Sequence, residues 1–129
     1  PIAEVDGVKM LDGGIADSLP IERARSLGFD NNVVVLTRNK GYRKRDKLSF
    51  GPPFAYRHYP ALRDALRCRN MEYNKQIAYI EELEERGEIV VIRPERPIEV
   101  GRMERDIKRL QALYDEGYEL ASKVEFSVE

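Results

Sequence analysis

The sequence contains few of the residue types that usually build compact chemical sites. Among its 129 residues there is one cysteine, Cys68, and one histidine, His58. A single cysteine cannot form an internal disulfide, so we interpret Cys68 as a helix-packing residue. His58 lies in a proline-flanked stretch and is interpreted as a surface residue. With one histidine and no carboxylates clustered at ligand spacing, the sequence predicts no zinc or calcium site, and it indicates no cofactor.

Long apolar runs and an excess of one charge are also missing. Runs such as Ile89–Ile92 are far shorter than the roughly 18 residues that span a bilayer. The 22 basic and 23 acidic residues leave a formal net charge of −1, whereas nucleic-acid-binding domains are usually basic. We therefore expect a cytoplasmic or membrane-peripheral protein without a nucleic-acid partner. The chain begins at Pro1 with no initiator Met or signal sequence, so we expect it to be cut from something longer.

The order of the predicted elements is typical of the α/β class. An Asp-Gly turn at Asp6 and Gly7 predicts an N-terminal β-hairpin. The β-branched run Val33–Thr37 predicts a strand buried on both faces of a mostly parallel sheet, and Ile89–Ile92 repeats that pattern. Apolar residues at helical spacing predict two long helices, one before Gly87 and one at the end of the chain. Their positions are Leu62, Leu66, Tyr73, Ile77, Ile80 and Leu83, then Met103, Ile107, Leu110, Tyr114 and Ala121.

We expect a single α/β unit over residues 1–129. It comprises a segment with a candidate catalytic aspartate (1–38), a basic and aromatic loop (39–60) and a helix-strand-helix segment (61–129). A short helix is predicted before Gly28, with Asp17 or Ser18 as its cap and Pro20 in its first turn. Capping is the interpretation that we prefer for Asp17 over a second catalytic carboxylate.

Asp12 ends the predicted hairpin and is followed by Gly13 and Gly14. Paired glycines let the backbone turn sharply and let another group approach closely, so the Asp12 carboxylate can project from a strand end. Taken alone, an aspartate before two glycines is also an ordinary turn. The chemistry therefore depends on the residues around it.

Two blocks carry a family resemblance. The block from Val5 to Pro20, centred on Leu11-Asp12-Gly13-Gly14, resembles the D-G-G block of bacterial patatin-like phospholipases. The strand Val33–Arg38 and the following Asn39–Lys44 resemble the strand and "LTR…GYRK" loop that lie downstream in that family. The two motifs occur in the family's order across about 45 residues. The resemblance implies the C-terminal portion of a three-layer α/β/α sandwich.

The resemblance also implies an activity, which is hydrolysis of lipid acyl esters by a serine and aspartate dyad. Asp12 occupies the position of the dyad aspartate, and Gly13 and Gly14 complete the motif. Asp12 would accept the serine proton as the hydroxyl attacks the ester, and water would later release the fatty acid. None of the chain's serines lies in a G-x-S-x-G elbow, and the family's glycine-rich oxyanion loop is missing. We therefore expect the chain alone to be inactive.

The stretch from Arg38 to Tyr59 is basic and aromatic, and it follows the carboxyl end of a predicted parallel strand, where sites of α/β sheets cluster. One interpretation is contact with a lipid surface, in which basic residues meet phosphates. The other is a solvated loop whose aromatics pack on the parent protein. Stacking on single-stranded nucleic acid is a third, which the balanced charge disfavours. The candidate lipid-contact residues are Arg38, Lys40, Tyr42, Arg43, Lys44 and Arg45.

A non-catalytic alternative is a regulatory or assembly module. The acidic Glu81–Glu85 face and the last helix are the surfaces that could bind a partner, and an exposed sheet edge could self-associate. Loss of an N-terminal half would expose one side of the sheet. A homodimer is therefore the partner expected beside a lipid or ester substrate.

Overall fold

The computed structural model describes residues 2–45, 56–101 and 103–124. They form a mixed α/β fold, with three α-helices, one short 3-10 helix and four strands in two small sheets. This confirms the α/β class. The chain divides into two compact units, one from Pro1–Asp30 with Arg43–Leu83, the other from Asn31–Tyr42 with Glu84–Glu129.

The predicted N-terminal hairpin is confirmed in the first unit. Strands β1 (Ala3–Val5) and β2 (Val8–Met10) pair antiparallel, with Val5 opposite Val8. Asp6 and Gly7 form the turn with φ of 51° and 76°. Both values lie in the left-handed region that a two-residue hairpin turn requires and that Asp-Gly tolerates well.

The helix α1 (Ile21–Ser26) follows the predicted position, but its predicted cap is wrong. Pro20 occupies the cap position, and no side chain caps the helix. Asp17 and Ser18 lie too early to reach its first amides, and both bond elsewhere. Ile21 is the buried residue of this helix, and Gly28 follows it with φ of 87°, a conformation that favours glycine.

In the second unit, strands β3 (Asn32–Val35) and β4 (Ile89–Ile92) pair in parallel, as predicted. Ile89, the first residue of β4, and Leu36, the residue after β3, are buried. The expectation of burial on both faces is wrong, because Val33 and Val35 are 45% and 68% exposed. The pair therefore presents one apolar face that the described residues do not cover.

The first long helix is confirmed as α2 (Pro60–Glu85). Its buried residues Tyr73, Ile77, Ile80 and Leu83 recur every three or four positions, so they form one stripe. Each large side chain removed from water stabilises the fold by about 1.5–3 kcal/mol. Cys68 of α2 is exposed, so its interpretation as a packing residue is wrong.

The last helix, α3 (Ile107–Ser122), is capped by Asp106, whose side chain accepts a hydrogen bond from the Lys108 backbone N–H. Together with residues 96–100 it lines a shallow open cavity of about 360 Å³. The apolar positions Ile107, Leu110 and Tyr114, which predicted this helix, are exposed, and so is Tyr118.

Replacing Ile80 by Ala tests the stripe of α2. The side chain is 0% exposed, so its loss removes buried methyl groups and leaves a cavity. We expect the free energy of unfolding to fall by about 2–5 kcal/mol. The matched control is Met71→Ala in the same helix, where the side chain is 45% exposed and the loss should be about 0.5 kcal/mol or less. Urea unfolding followed by circular dichroism measures both, and equal losses would contradict this assignment of the core.

Candidate functional site

Asp12 lies just after β2 and caps the 3-10 helix Gly13–Ile15. Its Oδ1 accepts a hydrogen bond of 2.9 Å from the Gly14 N–H. Its carbonyl oxygen accepts another, of 3.1 Å, from Ile15. Asp12 is exposed. The turn therefore orients the carboxylate while leaving it accessible from outside the chain.

Gly13 and Gly14 were expected to let the backbone turn sharply, but the structure gives them other roles. Both belong to the 3-10 helix, and neither is among the described glycines with left-handed φ. A Cβ at Gly14 would lie 3.2 Å from Asp12 Oδ1, which is tighter than an ordinary contact, whereas a Cβ at Gly13 would meet nothing within 4 Å. Gly14 thus makes room for the carboxylate, and the surface at Gly13 is open to another group.

The carbonyl of Gly14 is held by two side chains. Arg69 of α2 donates from Nε at 3.1 Å, and Ser18 donates from Oγ at 2.8 Å. Gly14 therefore binds the Asp12 carboxylate through its N–H, while the carbonyl of Gly14 is bound by Arg69 of α2.

Gln76 of α2 makes a second attachment of this segment. Its Nε2 donates to Asp17 Oδ1 at 2.6 Å, and its Oε1 accepts from the Leu19 N–H at 3.1 Å. Asp17 is thus a partner of α2 rather than a helix cap. Sequence reasoning missed Arg69 and Gln76, although both are polar residues seven positions apart on the helix face that carries the apolar stripe.

Within the first unit, the basic residues of the candidate lipid-contact segment bond to α2. Arg43 Nη1 donates to Glu81 Oε1 at 3.2 Å, and this hydrogen bond is the main cause that raises the pKa of the guanidinium. Lys44 Nζ lies 3.6 Å from the centroid of the Tyr73 ring. The carbonyl of Arg45 accepts from Asn70 Nδ2 at 2.9 Å.

Within the second unit, the remaining candidates also have partners. Lys40 Nζ lies 4.0 Å from Glu84 and 3.9 Å from Glu85, and the Arg38 guanidinium lies 5.0 Å from the Tyr42 ring centroid. The acidic end of α2 thus offsets much of the segment's charge. The sequence shows both charge clusters but not their pairing. Lys47, Phe50 and Phe54 of the predicted loop lie outside the described residues.

The described serines do not provide a nucleophile beside Asp12. The hydroxyls of Ser18, Ser26 and Ser122 each donate to a backbone carbonyl, while Ser49 and Ser127 lie outside the described residues. His58 is exposed, as predicted. Among the residues that the structure describes, no group of three metal-ligating side chains comes together, and no helix is long and apolar enough to cross a membrane.

Comparison with known proteins identifies a family but no characterised relative. No curated protein and no solved structure matches the chain. Residues 59–124 match the model of one protein family, and this region contains α2, β4 and α3. Asp12 and its turn precede it. The match covers just over half of the 129 residues, so the chain belongs to the family described as a domain of unknown function (DUF6363).

Proposed function

We propose that this chain supplies the catalytic aspartate of a patatin-like lipid acyl hydrolase, with Asp12 as the general base. The observation that carries the proposal is the exposed Asp12 carboxylate, which the Gly14 N–H fixes beside an open surface at Gly13. The two motifs that resemble the family give this carboxylate its assignment. The rest of the site would come from a preceding part of a longer protein.

In the proposed reaction, a serine hydroxyl from that preceding part attacks the ester carbonyl. Its proton passes to the Asp12 carboxylate, and the serine oxygen forms a bond to the acyl carbon. Asp12 then returns the proton to the departing alcohol as the ester bond breaks. Water, deprotonated by the same carboxylate, releases the fatty acid and restores the serine.

The local geometry suits a base that works without histidine. A general base must come within about 2.6–3.2 Å of the hydroxyl whose proton it takes. Gly14 occupies one oxygen of Asp12 with a backbone N–H, which fixes the orientation of the carboxylate. The missing Cβ at Gly13 leaves space on the surface next to it, so a serine on another segment could approach closely.

The chain alone should not catalyse the reaction. Stabilisation of the oxyanion is often the largest catalytic contribution, and the family's oxyanion loop and serine elbow have no counterpart in this sequence. The parallel β3–β4 pair, with an open apolar face, supports the proposal that it belongs to the sheet of a larger sandwich, because parallel sheets are usually covered on both faces.

Contact with a lipid surface would depend mainly on Lys40 of the second unit, whose side chain is 62% exposed although it lies 4.0 Å from Glu84 and 3.9 Å from Glu85. Arg38 lies against the Tyr42 ring, and Arg43 and Lys44 contact α2, so these charges are less available to lipid phosphates. The proposed surface contact is therefore weaker than the sequence alone suggests.

Hydrolysis of a short-chain nitrophenyl ester tests the role of Asp12. We expect Asp12→Asn in the intact longer protein to lower kcat by about 10²–10⁴-fold, the usual contribution of a general base. An asparagine Oδ1 can still accept from the Gly14 N–H, so the turn should persist. The 129-residue chain should hydrolyse the ester at the background rate.

The matched control is Asp6→Asn. This substitution also removes one carboxylate, but it lies in the hairpin turn, where asparagine tolerates the left-handed φ of 51° well. Activity should stay within about twofold of the unmodified protein, as for a typical surface substitution. Full activity of Asp12→Asn, or turnover by the chain alone, would remove Asp12 from its assigned role.

We propose self-association as a second function, because α3 presents an exposed apolar stripe. Its residues recur at helical spacing and are between 42% and 78% exposed. Because an aromatic side chain alone buries about 150–250 Å², the stripe offers on the order of 500 Å² per helix, against about 800 Å² per partner in a standard interface. We call this set the outer stripe of α3: Ile107, Leu110, Tyr114 and Tyr118.

The outer stripe fits a second copy of the same helix, because Leu110 and Tyr118 lie four residues on either side of Tyr114. In an antiparallel pair centred on Tyr114, Leu110 of one helix lies opposite Tyr118 of the other. Each copy contributes both residues, so this contact occurs twice by symmetry.

Sedimentation equilibrium of the chain tests this pairing. We expect a concentration-dependent dimer that Tyr114→Lys abolishes by placing a charge in the apolar interface. Leu110→Lys or Tyr118→Glu alone should weaken the dimer by about 10-fold, because a charge then faces an apolar side chain at two places.

The double variant Leu110→Lys with Tyr118→Glu should restore part of the dimer, since opposite charges then face each other across the pair. This recovery distinguishes a second copy from any other partner. A monomer at all concentrations, or a dimer insensitive to Tyr114→Lys, would contradict the proposal.

A further inference from the structure

We infer that α2, which lies in the region matched by the family of unknown function, positions the catalytic turn through Arg69 and Gln76. This inference rests on the proposed function of Asp12. It gives a role to the first helix of that region: it is the rigid support that holds the carboxylate toward an approaching serine.

Gly14 connects Arg69 of α2 to Asp12. Its N–H donates to Asp12 at 2.9 Å and its carbonyl accepts from Arg69 at 3.1 Å. The Arg69 guanidinium also approaches the side of Gly14 on which the carboxylate lies, because a Cβ there would be 3.8 Å from Arg69 Nη2 and 3.2 Å from Asp12 Oδ1. A shift of Arg69 would therefore reach Asp12 through a single residue.

Gln76 attaches the other end of the same segment to α2. Its amide uses both ends, donating to Asp17 at 2.6 Å and accepting from the Leu19 N–H at 3.1 Å. Ser18 lies between these two residues and donates to the Gly14 carbonyl at 2.8 Å. The two side chains of α2 thus fix both ends of the segment 14–19.

The helix α2 is a rigid support for Arg69 and Gln76. Arg69 and Gln76 lie on either side of Tyr73 along α2, and Tyr73 begins the buried stripe that continues to Leu83. Both polar residues are half-buried, so their side chains have less freedom than exposed ones. Catalytic groups must be held within about 0.5 Å of their productive geometry, and sites built on helices are more precise than sites on loops. A misplacement of about 1 Å can cost 10²-fold in rate.

This arrangement makes Arg69 and Gln76 positioning residues rather than catalytic ones. Their loss should change where Asp12 lies, and therefore kcat, with little effect on KM. The same loss should release the amides that the turn protects. A purely structural role would instead lower global stability and leave the turn as well protected as the rest of the unit.

The experiment combines two readouts on Arg69→Met and Gln76→Met, which keep a side chain of similar length but remove the Arg69 donor and both hydrogen-bonding ends of Gln76. In the 129-residue chain, NMR-detected hydrogen exchange of the Gly14 and Leu19 amides should become at least about 10-fold faster, while the urea midpoint stays close to that of the unmodified chain. In the intact longer protein, kcat for the nitrophenyl ester should fall by about 10–100-fold. Arg69→Lys, which keeps a donor, should recover part of both losses.

The matched control is Arg67→Met. Arg67 lies on the same helix and pairs with Asp64 at 3.7 Å on the exposed surface, so both readouts should stay unchanged. Unchanged exchange in Arg69→Met and Gln76→Met would overturn the inference. So would unchanged kcat in these variants beside an inactive Asp12→Asn, and the proposed function would then stand. Full activity of Asp12→Asn would overturn both the proposed function and the catalytic role inferred for α2.

Discussion

The buried stripe of α2 is the constraint on which the first unit depends. Ile80 and Leu83 are its most deeply buried residues, and the helix carries them on a single face. That face also carries the polar groups that reach outward to the rest of the unit. Arg69 and Gln76 bond to the Asp12 segment, and Asn74 on an adjacent face bonds to both backbone groups of Lys44. The helix α2 therefore holds the first unit together, and the position of the candidate site depends on its contacts with this helix.

Patterns within one segment predicted their structures well. The Asp-Gly turn specified the hairpin, because few other dipeptides accept two left-handed residues in succession. The period of apolar residues specified α2, and two short β-branched runs specified a parallel pair. Cap assignment failed at Asp17 because a side chain that can cap a helix can equally bond to a distant residue. The Gln76 amide, 59 positions away, is invisible to any local pattern.

In the candidate site, too, features set by neighbours in the chain could be predicted, whereas contacts between distant residues could not. Asp12 and its glycines could be found from sequence, since their chemistry depends on neighbours in the chain. The reason for Gly14 could not, because it is a distance of 3.2 Å between an absent Cβ and a carboxylate oxygen. The basic segment was visible as charge, yet its pairing with Glu81 and Glu84 depends on how the chain folds back. Pairing reduces the net field that a lipid surface would experience.

Two elements present apolar residues on their exposed sides. Val35 on β3 was predicted to be buried and is exposed, and Tyr114 on α3, which belongs to the pattern that predicted the helix, is exposed as well. Both residue types are common in protein cores, and the described part of the chain leaves these two side chains uncovered. The largest exposed apolar patch of a soluble monomer, typically a few hundred Å², is often a functional surface. An exposed carboxylate, fixed by a backbone N–H beside an open surface, has the same character. All three features support a chain that acts in contact with another protein surface, and Asp12 is the one among them that brings chemistry to that contact.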